Sequence, residues 1–487
     1  MRAVRNIFLI GLLVYLLSWS WRVSTTRFFD VDEFSYMHWT AQIARGEHMY
    51  TDFFSYFTPG FMWVFAPVFW IYGVSVNVFS AARSVSFVIY LSILSSLSYL
   101  WGITRGWKWA LLPAVLLAFL PMPYDKFLEI RPDNLATLLA IIGVIGEIRG
   151  IREKKNRWWV LSGLAYSASL FVLAKTLPIV AVGAGIAILA DRKKSLMFFS
   201  GLAGPWILFF SGALIGGNLG LAWYSLTKLP FEVYKSAANY YMGPMLFFYP
   251  NGAFYGLPGT SITPGLIVNH ALWIMGGITG AYRLVTPFRD RNRANTCIEL
   301  LLGGIFFVSA AAYVKYFPLK HSQYLIPIAV FIAYYAADAL GNFFNWLERA
   351  GGYASLVLVL AGFVYLLIVI TKDVNTPKLS ATNTAQLAEL KTLMRTVPLN
   401  ARVVDLEGRM VFWPEGYPIS SFAFDTFLPF VSRKPQPLAR YLSVRPAEYM
   451  YEGDSNRFAT FTVENAAYIT AHYAPVAGFG GRLLKRL

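Results

Sequence analysis

Acidic residues concentrate in the segment 28–60, which follows the first apolar stretch of the chain. Asp32 and Glu33 are adjacent there, and Asp52 lies further along among aromatic residues. A carboxylate at a partly dehydrated interface can act as the general base that removes a proton from an attacking hydroxyl. Two neighbouring carboxylates can also hold a divalent metal ion. The alternative is a solvated loop whose acidic residues take no part in chemistry.

The spacing of residues within this segment predicts how its carboxylates are arranged. Tyr36, Trp39 and Ile43 recur at the interval of a helix, so we predict a short amphipathic helix after Asp32. Such a helix would fold the segment back on itself. It would thereby place Asp52 near Asp32.

Polar residues also occur in three other short segments between apolar stretches. They are Arg131 and Asp133, then Lys175, then Lys320, His321 and Tyr324. The planar guanidinium of Arg131 suits either a carboxylate or a phosphate, while Pro132 and Asp133 would equally suit the first turn of a helix. Lys175 either extends its ammonium to water or contacts a phosphate. Together these residues would suit a substrate with an anionic head at the membrane surface.

The apolar composition places these segments in a membrane protein. Of 487 residues, 56% are hydrophobic and 14% are charged, whereas soluble domains carry about 25% charged residues. Many apolar stretches have the length of about twenty residues that crosses a bilayer core as a helix. We therefore predict a mainly α, polytopic membrane bundle of about eleven transmembrane helices. The predicted spans are 7–21, 79–101, 109–122, 135–148, 158–173, 177–190, 196–215, 266–282, 298–313, 324–340 and 353–370.

The distribution of charge assigns the two sides of this bundle. The net charge is +16, and the strong basic clusters fall in alternate loops when the amino terminus is placed inside. The segment 28–60 then becomes a long first extracytoplasmic loop. A span at 60–78 would invert this pattern, so we interpret that aromatic stretch as a helix at the membrane surface. Basic residues confined to short loops also argue against nucleic-acid binding.

The composition changes after residue 370. We predict a transmembrane catalytic domain at 1–372 and a small extracytoplasmic soluble α/β domain at 373–487. Within the second domain, 382–396 has helical spacing, and 402–406 and 467–470 are predicted as short strands. The outer loop from 216 to about 263, rich in Tyr, Phe, Pro and Gly, is expected to pack over the bundle or at the interface.

Several classes of protein are excluded or less favoured. Cys297 is the only cysteine, which excludes an intramolecular disulfide and a cysteine-built metal site. The chain has no phosphate-binding Gly-rich motif and no H-E-x-x-H motif, which argues against an ATP-driven transporter and a zinc protease. A polytopic transporter or a flippase for lipid-linked sugars is an alternative, as is a non-catalytic assembly protein. Transporters place ionisable residues near the bilayer midplane, whereas the acids here concentrate in outer loops.

At these residues the chain resembles the C-type membrane glycosyltransferases, of the protein O-mannosyltransferase and aminoarabinose-transferase kind. The resemblance rests first on the acidic pair that begins at Asp32, just after the first span. It continues in the pattern G-x-x-x-Y-x-D, from Gly46 to Asp52. Lys175 and the sequence YLIP that begins at Tyr324 are similar too. So is the plan of a many-span bundle followed by a soluble carboxyl-terminal domain.

The resemblance implies a monosaccharide donor carried on a polyprenyl phosphate, whose lipid tail lies between spans among membrane lipids. The acceptor would be a hydroxyl or amine of a lipid, glycan or protein at the extracytoplasmic face. Transfer would invert the anomeric carbon, with Asp32 as general base and with Glu33 and Asp52 orienting the acceptor. The residues that would bind the donor phosphate are Arg131, Lys175, Lys320 and Tyr324, and those that would bind acceptor or sugar are Tyr50, Asp133 and His321. The need for a divalent metal ion stays open, because members of the superfamily differ in this respect.

Overall fold

The computed structural model describes residues 2–55, 57–237, 263–286, 292–317, 320–418, 431–453 and 457–487. The described chain is mainly helical, which confirms the predicted fold class. Its α-helices are α1 (Arg2–Thr26), α2 (Val31–Ala44), α3 (Gly60–Tyr72), α4 (Asn77–Arg105), α5 (Leu112–Phe119), α6 (Tyr124–Phe127), α7 (Pro132–Glu153), α8 (Asn156–Val172), α9 (Leu177–Ala190), α10 (Arg192–Ile215), α11 (Leu219–Trp223), α12 (Leu229–Ala237), α13 (Pro264–Val285), α14 (Arg293–Ala310), α15 (Ile326–Ala350), α16 (Gly352–Asn375), α17 (Thr384–Thr396), α18 (Leu438–Val444) and α19 (Val463–His472).

Long apolar helices make up the membrane-spanning part of the chain. Each predicted span falls on a described helix, namely on α1, α4, α5, α7 to α10 or α13 to α16. Among the described residues, seven helices are long and apolar enough to cross a membrane, so the chain is a multi-pass membrane protein. The seven are Val4–Thr26, Asn77–Arg105, Pro132–Glu153, Arg192–Ile215, Arg293–Tyr316, Ser322–Ala350 and Gly352–Ser380.

Helix α3 lies in the stretch for which the sequence predicts a surface position. It has 13 residues, and at about 1.5 Å per residue it is about 20 Å long, shorter than a bilayer core of about 30 Å. Trp63, Trp70 and Ile71 on this helix are exposed. A short helix with exposed indole rings suits the membrane interface, which supports the interpretation of 60–78 as a surface segment.

The chain forms two compact units, and the first is named here the helical unit. It comprises Met1–Arg27, Arg83–Leu208 and Met242–Ala381. Its central helix is α15, which is buried without interruption from Ile326 to Asp338. A helix that is apolar around its circumference must be surrounded by other helices, and α15 packs against α5 and α13.

Helices α7 and α8 approach closely because small residues line their contact. The hydroxyl of Ser162 donates to the carbonyl of Gly143 at 2.8 Å, and that of Ser169 donates to the carbonyl of Ala136 at 2.7 Å. The order of these two contacts shows that the helices are antiparallel. Small residues allow such close helix packing within a membrane. The start of α7 therefore lies beside the end of α8.

The second unit, named here the mixed unit, comprises Phe28–Ala82, Phe209–Tyr241 and Thr382–Leu487. It contains a four-stranded sheet in the order β1-β2-β4-β3, in which β1 and β2 are parallel and the other pairs are antiparallel. The strands are β1 (Val403–Asp405), β2 (Tyr449–Tyr451), β3 (Tyr473–Pro475) and β4 (Leu483–Arg486). Buried apolar residues from β1, β2, α18 and α19 form its core, and Leu442 and Met450 are fully enclosed.

The carboxyl-terminal predictions are confirmed in part. The predicted helix at 382–396 is α17, and the predicted strand at 402–406 contains β1. The predicted strand at 467–470 is wrong, because these residues lie inside α19. The hydroxyl of Thr462 accepts a hydrogen bond from the backbone N–H of Asn465 and so caps a helix there. A short apolar run suits helix and strand alike, and the chain becomes extended only at Tyr473.

The division of the chain into domains at 372/373 stays a prediction. Residues 382–487 cluster with 28–82 and 209–241 in the mixed unit. The predicted outer loop from 216 to about 263 contains α11 and α12, and its remainder, 238–262, lies outside the described residues.

Candidate functional site

In the mixed unit, the acidic pair Asp32 and Glu33 lies in the first turn of α2. Asp30 is the N-cap residue, and its carboxylate accepts from the backbone N–H of Asp32 at 3.0 Å. The carboxylate of Glu33 accepts from the backbone N–H of Asp30 at 2.9 Å, which completes a capping box. Glu33 is fully buried and Asp32 is half-buried. The spacing D-x-x-E is the sequence signal for this capping role of Glu33, which the sequence interpretation missed.

Helix α2 confirms the predicted helix after Asp32, but it is not amphipathic. Residues 33–42 are all buried, including His38 and Gln42. A helix with polar residues on a buried face must satisfy them with partners inside the protein. The amphipathic interpretation was wrong because part of the polar face of this helix packs against other residues of the mixed unit.

Tyr50 and Asp52 lie in a tight turn of the same unit. Tyr50 has a φ of 72°, a left-handed conformation that is rare for a bulky residue. Its hydroxyl donates to the carbonyl of Phe57 at 3.4 Å, and burial raises the pKa of Tyr50. Asp52 is exposed, and its carboxylate accepts from the backbone N–H of His48 at 2.8 Å. The proposed roles of Tyr50 and Asp52 at the acceptor stay predictions.

In the helical unit, Lys175 and Asp133 form an ion pair. The ammonium Nζ of Lys175 lies 3.5 Å from Oδ1 of Asp133 and 4.2 Å from the centre of the Tyr324 ring. The hydroxyl of Tyr313 donates to the backbone carbonyl of Lys175. Asp133 is buried, and its Oδ2 has no hydrogen-bond partner among the described residues. Oδ1 of this carboxylate is therefore paired at a long distance, and Oδ2 is available to a donor from a bound molecule.

The positions of Asp133 and Lys175 follow from the contact of α7 with α8. Lys175 lies in a 3₁₀ turn, Ala174–Thr176, that follows α8. Oγ of Ser169 lies 3.0 Å from Oγ1 of Thr176, so the turn contacts α8. α7 starts at Pro132, which places Asp133 in its first turn, where an acidic residue is favoured.

A buried network of charged residues centres on Glu129 and Asp125 in the same unit. Glu129 accepts from Arg27, Lys126 and Arg131, and Asp125 pairs with Arg27 at 3.3 Å and with Lys378 at 2.7 Å. Burial by itself raises the pKa of Asp125, but the positive charges of Lys378 and Arg27 hold that pKa below its ordinary value. Sequence reasoning missed Lys378 because nothing in its local sequence indicates its partner.

The segment of Lys320, His321 and Tyr324 precedes α15. Lys320 is buried and donates to the backbone carbonyl of Phe317, and burial lowers the pKa of Lys320. The ring of His321 lies edge-on to the ring of Tyr324, with their centres 5.8 Å apart. Tyr324 thus contacts both His321 and Lys175.

The predicted site residues fall into two groups. Arg131, Asp133, Lys175, Lys320, His321 and Tyr324 belong to the helical unit, and Asp32, Glu33, Tyr50 and Asp52 belong to the mixed unit. Within the helical unit, Lys175 contacts both Asp133 and Tyr324. The ammonium of Lys175 suits a phosphate, and the carboxylate of Asp133 suits a hydroxyl that donates to it. Among the described residues no group of three or more His, Cys, Asp or Glu is placed to hold a metal ion.

No protein-family model matches the chain, and no curated protein sequence matches it. Several solved structures, however, are similar to it. ArnT from Cupriavidus metallidurans in the apo state has a TM-score of 0.59 at 12% identity, covering 98% of this chain and 97% of that chain. The same protein bound to undecaprenyl phosphate has a TM-score of 0.57 at 13% identity, covering 83% of this chain and 85% of that chain.

The oligosaccharyltransferase of Archaeoglobus fulgidus in the apo form is similar as well. Its TM-score is 0.56 at 13% identity, and the match covers 91% of this chain and 69% of that chain. These likenesses establish the fold, which the chain shares with ArnT and with this oligosaccharyltransferase. The fold predicted from the sequence resemblance is thereby confirmed.

Proposed function

We propose that this chain is a membrane glycosyltransferase that moves a monosaccharide from a polyprenyl-phosphate donor to an acceptor at the extracytoplasmic face. The observation that carries the proposal is the arrangement of Lys175, Asp133 and Tyr324 in a fold of the C-type glycosyltransferases. A cation held over an aromatic ring suits a phosphate, and the neighbouring buried carboxylate oxygen suits a sugar hydroxyl. ArnT is described as bound to undecaprenyl phosphate, which supports a donor of that class.

The proposed reaction is a single displacement. The acceptor oxygen or nitrogen forms a bond to the anomeric carbon, and the bond between that carbon and the phosphate oxygen breaks. Polyprenyl phosphate leaves with the electron pair, and Asp32 takes the proton of the acceptor. Lys175 stabilises the charge that develops on the leaving phosphate, with Arg131 and Lys320 as further cations. Configuration at the anomeric carbon is inverted.

The choice of Asp32 over its neighbours as the base rests on the capping box. Glu33 is fully buried and engaged with the backbone of Asp30, whereas Asp32 is half-buried. A general base must reach the proton that it removes, and a half-buried carboxylate meets this requirement better than an enclosed one. Glu33 then acts on the reaction by holding the first turn of α2.

Two substitutions with matched controls test the proposal. Asp32→Asn is expected to lower the rate of sugar transfer by a factor of about 10² to 10⁴, the usual contribution of a general base. Lys175→Met is expected to weaken binding of undecaprenyl phosphate by about tenfold or more, since a hydrogen bond to a charged group contributes about 1.5 to 3 kcal/mol. The controls Asp373→Asn and Lys372→Met change exposed residues at the end of α16.

Transfer is measured with membranes that supply the acceptor and a panel of undecaprenyl-phosphate-linked hexoses and pentoses. Binding is measured with undecaprenyl phosphate and the purified protein. Wild-type transfer by Asp32→Asn would disprove the role of Asp32, and wild-type binding by Lys175→Met would disprove the phosphate site.

A transporter or flippase for lipid-linked sugars is the second candidate, and one residue favours it. Glu147 is fully buried within α7; the hydroxyl of Tyr166 donates to its Oε2 at 3.1 Å, and its Oε1 has no partner among the described residues. An ionisable residue inside a span is often part of a transport pathway. Under the transferase proposal, Glu147→Gln leaves the rate of sugar transfer unchanged. Loss of lipid-linked sugar movement across the membrane in that variant would favour the transporter.

A further inference from the structure

The backbone just before the first turn of α2, which carries Asp32 and Glu33, is held by one side chain of the carboxyl-terminal region. The amide of Gln386 on α17 accepts from the N–H of Phe29 at 2.7 Å and donates to the carbonyl of Phe29 at 2.9 Å. Both backbone groups of one residue are thus paired by one side chain, as they would be by a neighbouring strand. Phe29 directly precedes Asp30, the N-cap residue of the helix that carries Asp32.

The ring of Phe29 is held by aromatic contacts. It is buried and lies 5.8 Å from the ring of Phe34 on α2 and 4.9 Å from the ring of Phe79 on α4. The guanidinium of Arg409 lies 5.2 Å from the centre of the Phe34 ring. Aromatic rings packed at these distances leave little freedom for the chain that joins them. The start of α2 is therefore packed against residues of α4 and of the carboxyl-terminal region.

A second set of contacts holds the body of α2 against the segment after β1. Ser35 donates to the carbonyl of Glu407 at 2.8 Å, His38 contacts the carboxylate of Glu415, and Gln42 donates to the carbonyl of Trp413 at 3.4 Å. Ser35, His38 and Gln42 are spaced three and four residues apart and so share one face of the helix.

The segment after β1 is itself rigidly held. The carboxylate of Asp405 accepts from the backbone N–H of Glu407 at 3.0 Å and of Met410 at 2.5 Å. Gly408 has a φ of 81°, and a Cβ there would lie 2.6 Å from Cα of Ser35. The turn can approach α2 this closely only because residue 408 has no side chain. α2 is thus held at both ends by residues of the carboxyl-terminal region.

We infer that Gln386 is a positioning residue, which holds the turn of Asp32 in the orientation needed for proton removal. This inference rests on the proposed function of Asp32 as the general base. Gln386 reaches Asp32 only through the backbone of Phe29 and Asp30. Its loss therefore displaces the base and leaves the residues of the helical unit that bind the phosphate unchanged. A displacement of a catalytic group by about 1 Å can lower a rate about a hundredfold.

The first experiment measures kcat and KM for Gln386→Ala, with the panel member that the wild type uses best. Expected are a fall in kcat of about ten- to a hundredfold and a KM for the undecaprenyl-phosphate-linked sugar within about twofold of wild type. Lys391→Ala, an exposed change on the same helix α17, is the matched control and keeps the wild-type kcat. A wild-type kcat in Gln386→Ala would overturn the inference.

The second experiment combines Gln386→Ala with Asp32→Asn. If Gln386 acts only through Asp32, the double variant is expected to transfer sugar within about twofold of the rate of Asp32→Asn alone, because the base is already lost. A further fall by the full factor seen in the wild-type background would show a general structural role and overturn the inference. If Asp32→Asn keeps wild-type transfer, the proposed function fails. If Asp32→Asn is impaired while Gln386→Ala is normal, only the positioning role fails.

A third variant keeps the test decisive if Gln386→Ala does not assemble in the membrane. Gln386→Glu has almost the same volume and retains the acceptor for the N–H of Phe29, but its carboxylate faces the carbonyl that Gln386 now donates to. Protonation of the introduced carboxylate restores a donor. The ratio of the kcat of this variant to that of wild type is therefore expected to rise as the pH is lowered from about 8 to about 5.5. A ratio that is independent of pH would overturn the inference.

Discussion

The ammonium of Lys175 lies 4.2 Å from the centre of the Tyr324 ring, although the two residues belong to different helical turns of the bundle. The same ammonium lies 3.5 Å from Oδ1 of the buried Asp133. The side chain of Lys175 is 24% exposed, and a cation over an aromatic ring gains about 0.5 to 2 kcal/mol, depending on its exposure to water. The ring therefore helps to hold Lys175 in one orientation without neutralising its charge, which is the state that a phosphate-binding cation requires.

The first prediction concerns the face of the Tyr324 ring. Tyr324→Phe is expected to bind undecaprenyl phosphate within about twofold of wild type, because the ring face that contacts Lys175 is retained. Tyr324→Leu is expected to bind it about five- to thirtyfold more weakly, which corresponds to about 1 to 2 kcal/mol. The measurement is equilibrium binding to the purified protein. Equal losses in the two variants would show that the hydroxyl, and not the ring face, is what matters.

The second prediction concerns the close approach of Gly408 to α2. Gly408→Ala is expected to lower the free energy of unfolding by about 2 to 4 kcal/mol, because it combines a left-handed backbone with a clash against Ser35. Gly478→Ala is the matched control, since Gly478 also has a positive φ but has nothing within 4 Å of an added Cβ. The control is expected to lose only about 1 kcal/mol. Thermal unfolding in detergent measures both, and equal losses would contradict the close contact.

The third prediction concerns the contact of α8 with α10. A Cβ at Gly163 would lie 2.0 Å from the carbonyl oxygen of Phe198, and a Cβ at Gly201 would lie 2.3 Å from that of Val160. Gly163→Ala is therefore expected to separate the two helices and to lower the free energy of unfolding by about 1 to 3 kcal/mol. Gly185→Ala on α9, where an added Cβ meets nothing within 4 Å, is expected to be neutral or stabilising. A lower melting temperature only in the first variant is the expected result.

The fourth prediction concerns the pH dependence of the contact between α2 and the segment after β1. Burial by itself lowers the pKa of His38, but Glu415 beside it, with Asp405, raises that pKa above its ordinary value of 6.5, against a smaller opposing effect of Arg45. The folded protein then binds the proton more tightly than the unfolded chain does. The stability contributed by the protonated His38 is fully present below about pH 6.5. It is lost as the pH rises through the raised pKa of His38.

Burial raises the pKa of Asp405 to about 6, so this carboxyl group also binds its proton more tightly in the folded protein, and its contribution to stability is lost at lower pH than that of His38. The measurement is the melting temperature in detergent between about pH 6 and about pH 8. His38→Gln removes the titrating group and is expected to flatten this dependence. A melting temperature that rises over this range in the wild type, or the same fall in His38→Gln, would contradict the assignment.

Composition and local spacing were sufficient for the membrane class, the positions of the apolar helices and the helix that follows the acidic pair. These features depend on how many apolar residues follow one another and at what interval, and both can be read from neighbouring residues. The prediction of a strand at 467–470 was wrong because so short an apolar run suits a helix and a strand alike. The helix cap at Thr462 decides in favour of a helix.

The contacts that give the site its form follow only from packing. Gln386 pairs with Phe29, 357 residues away, and Lys378 pairs with Asp125, 253 residues away. Nothing near either residue in the chain indicates its partner, because such pairs depend on which helices meet and in what register. Sequence spacing identified Asp133, Lys175 and Tyr324 as polar residues at helix ends. Lys175 meets Asp133 because α7 and α8 are antiparallel, and it also contacts Tyr324 in the turn that precedes α15.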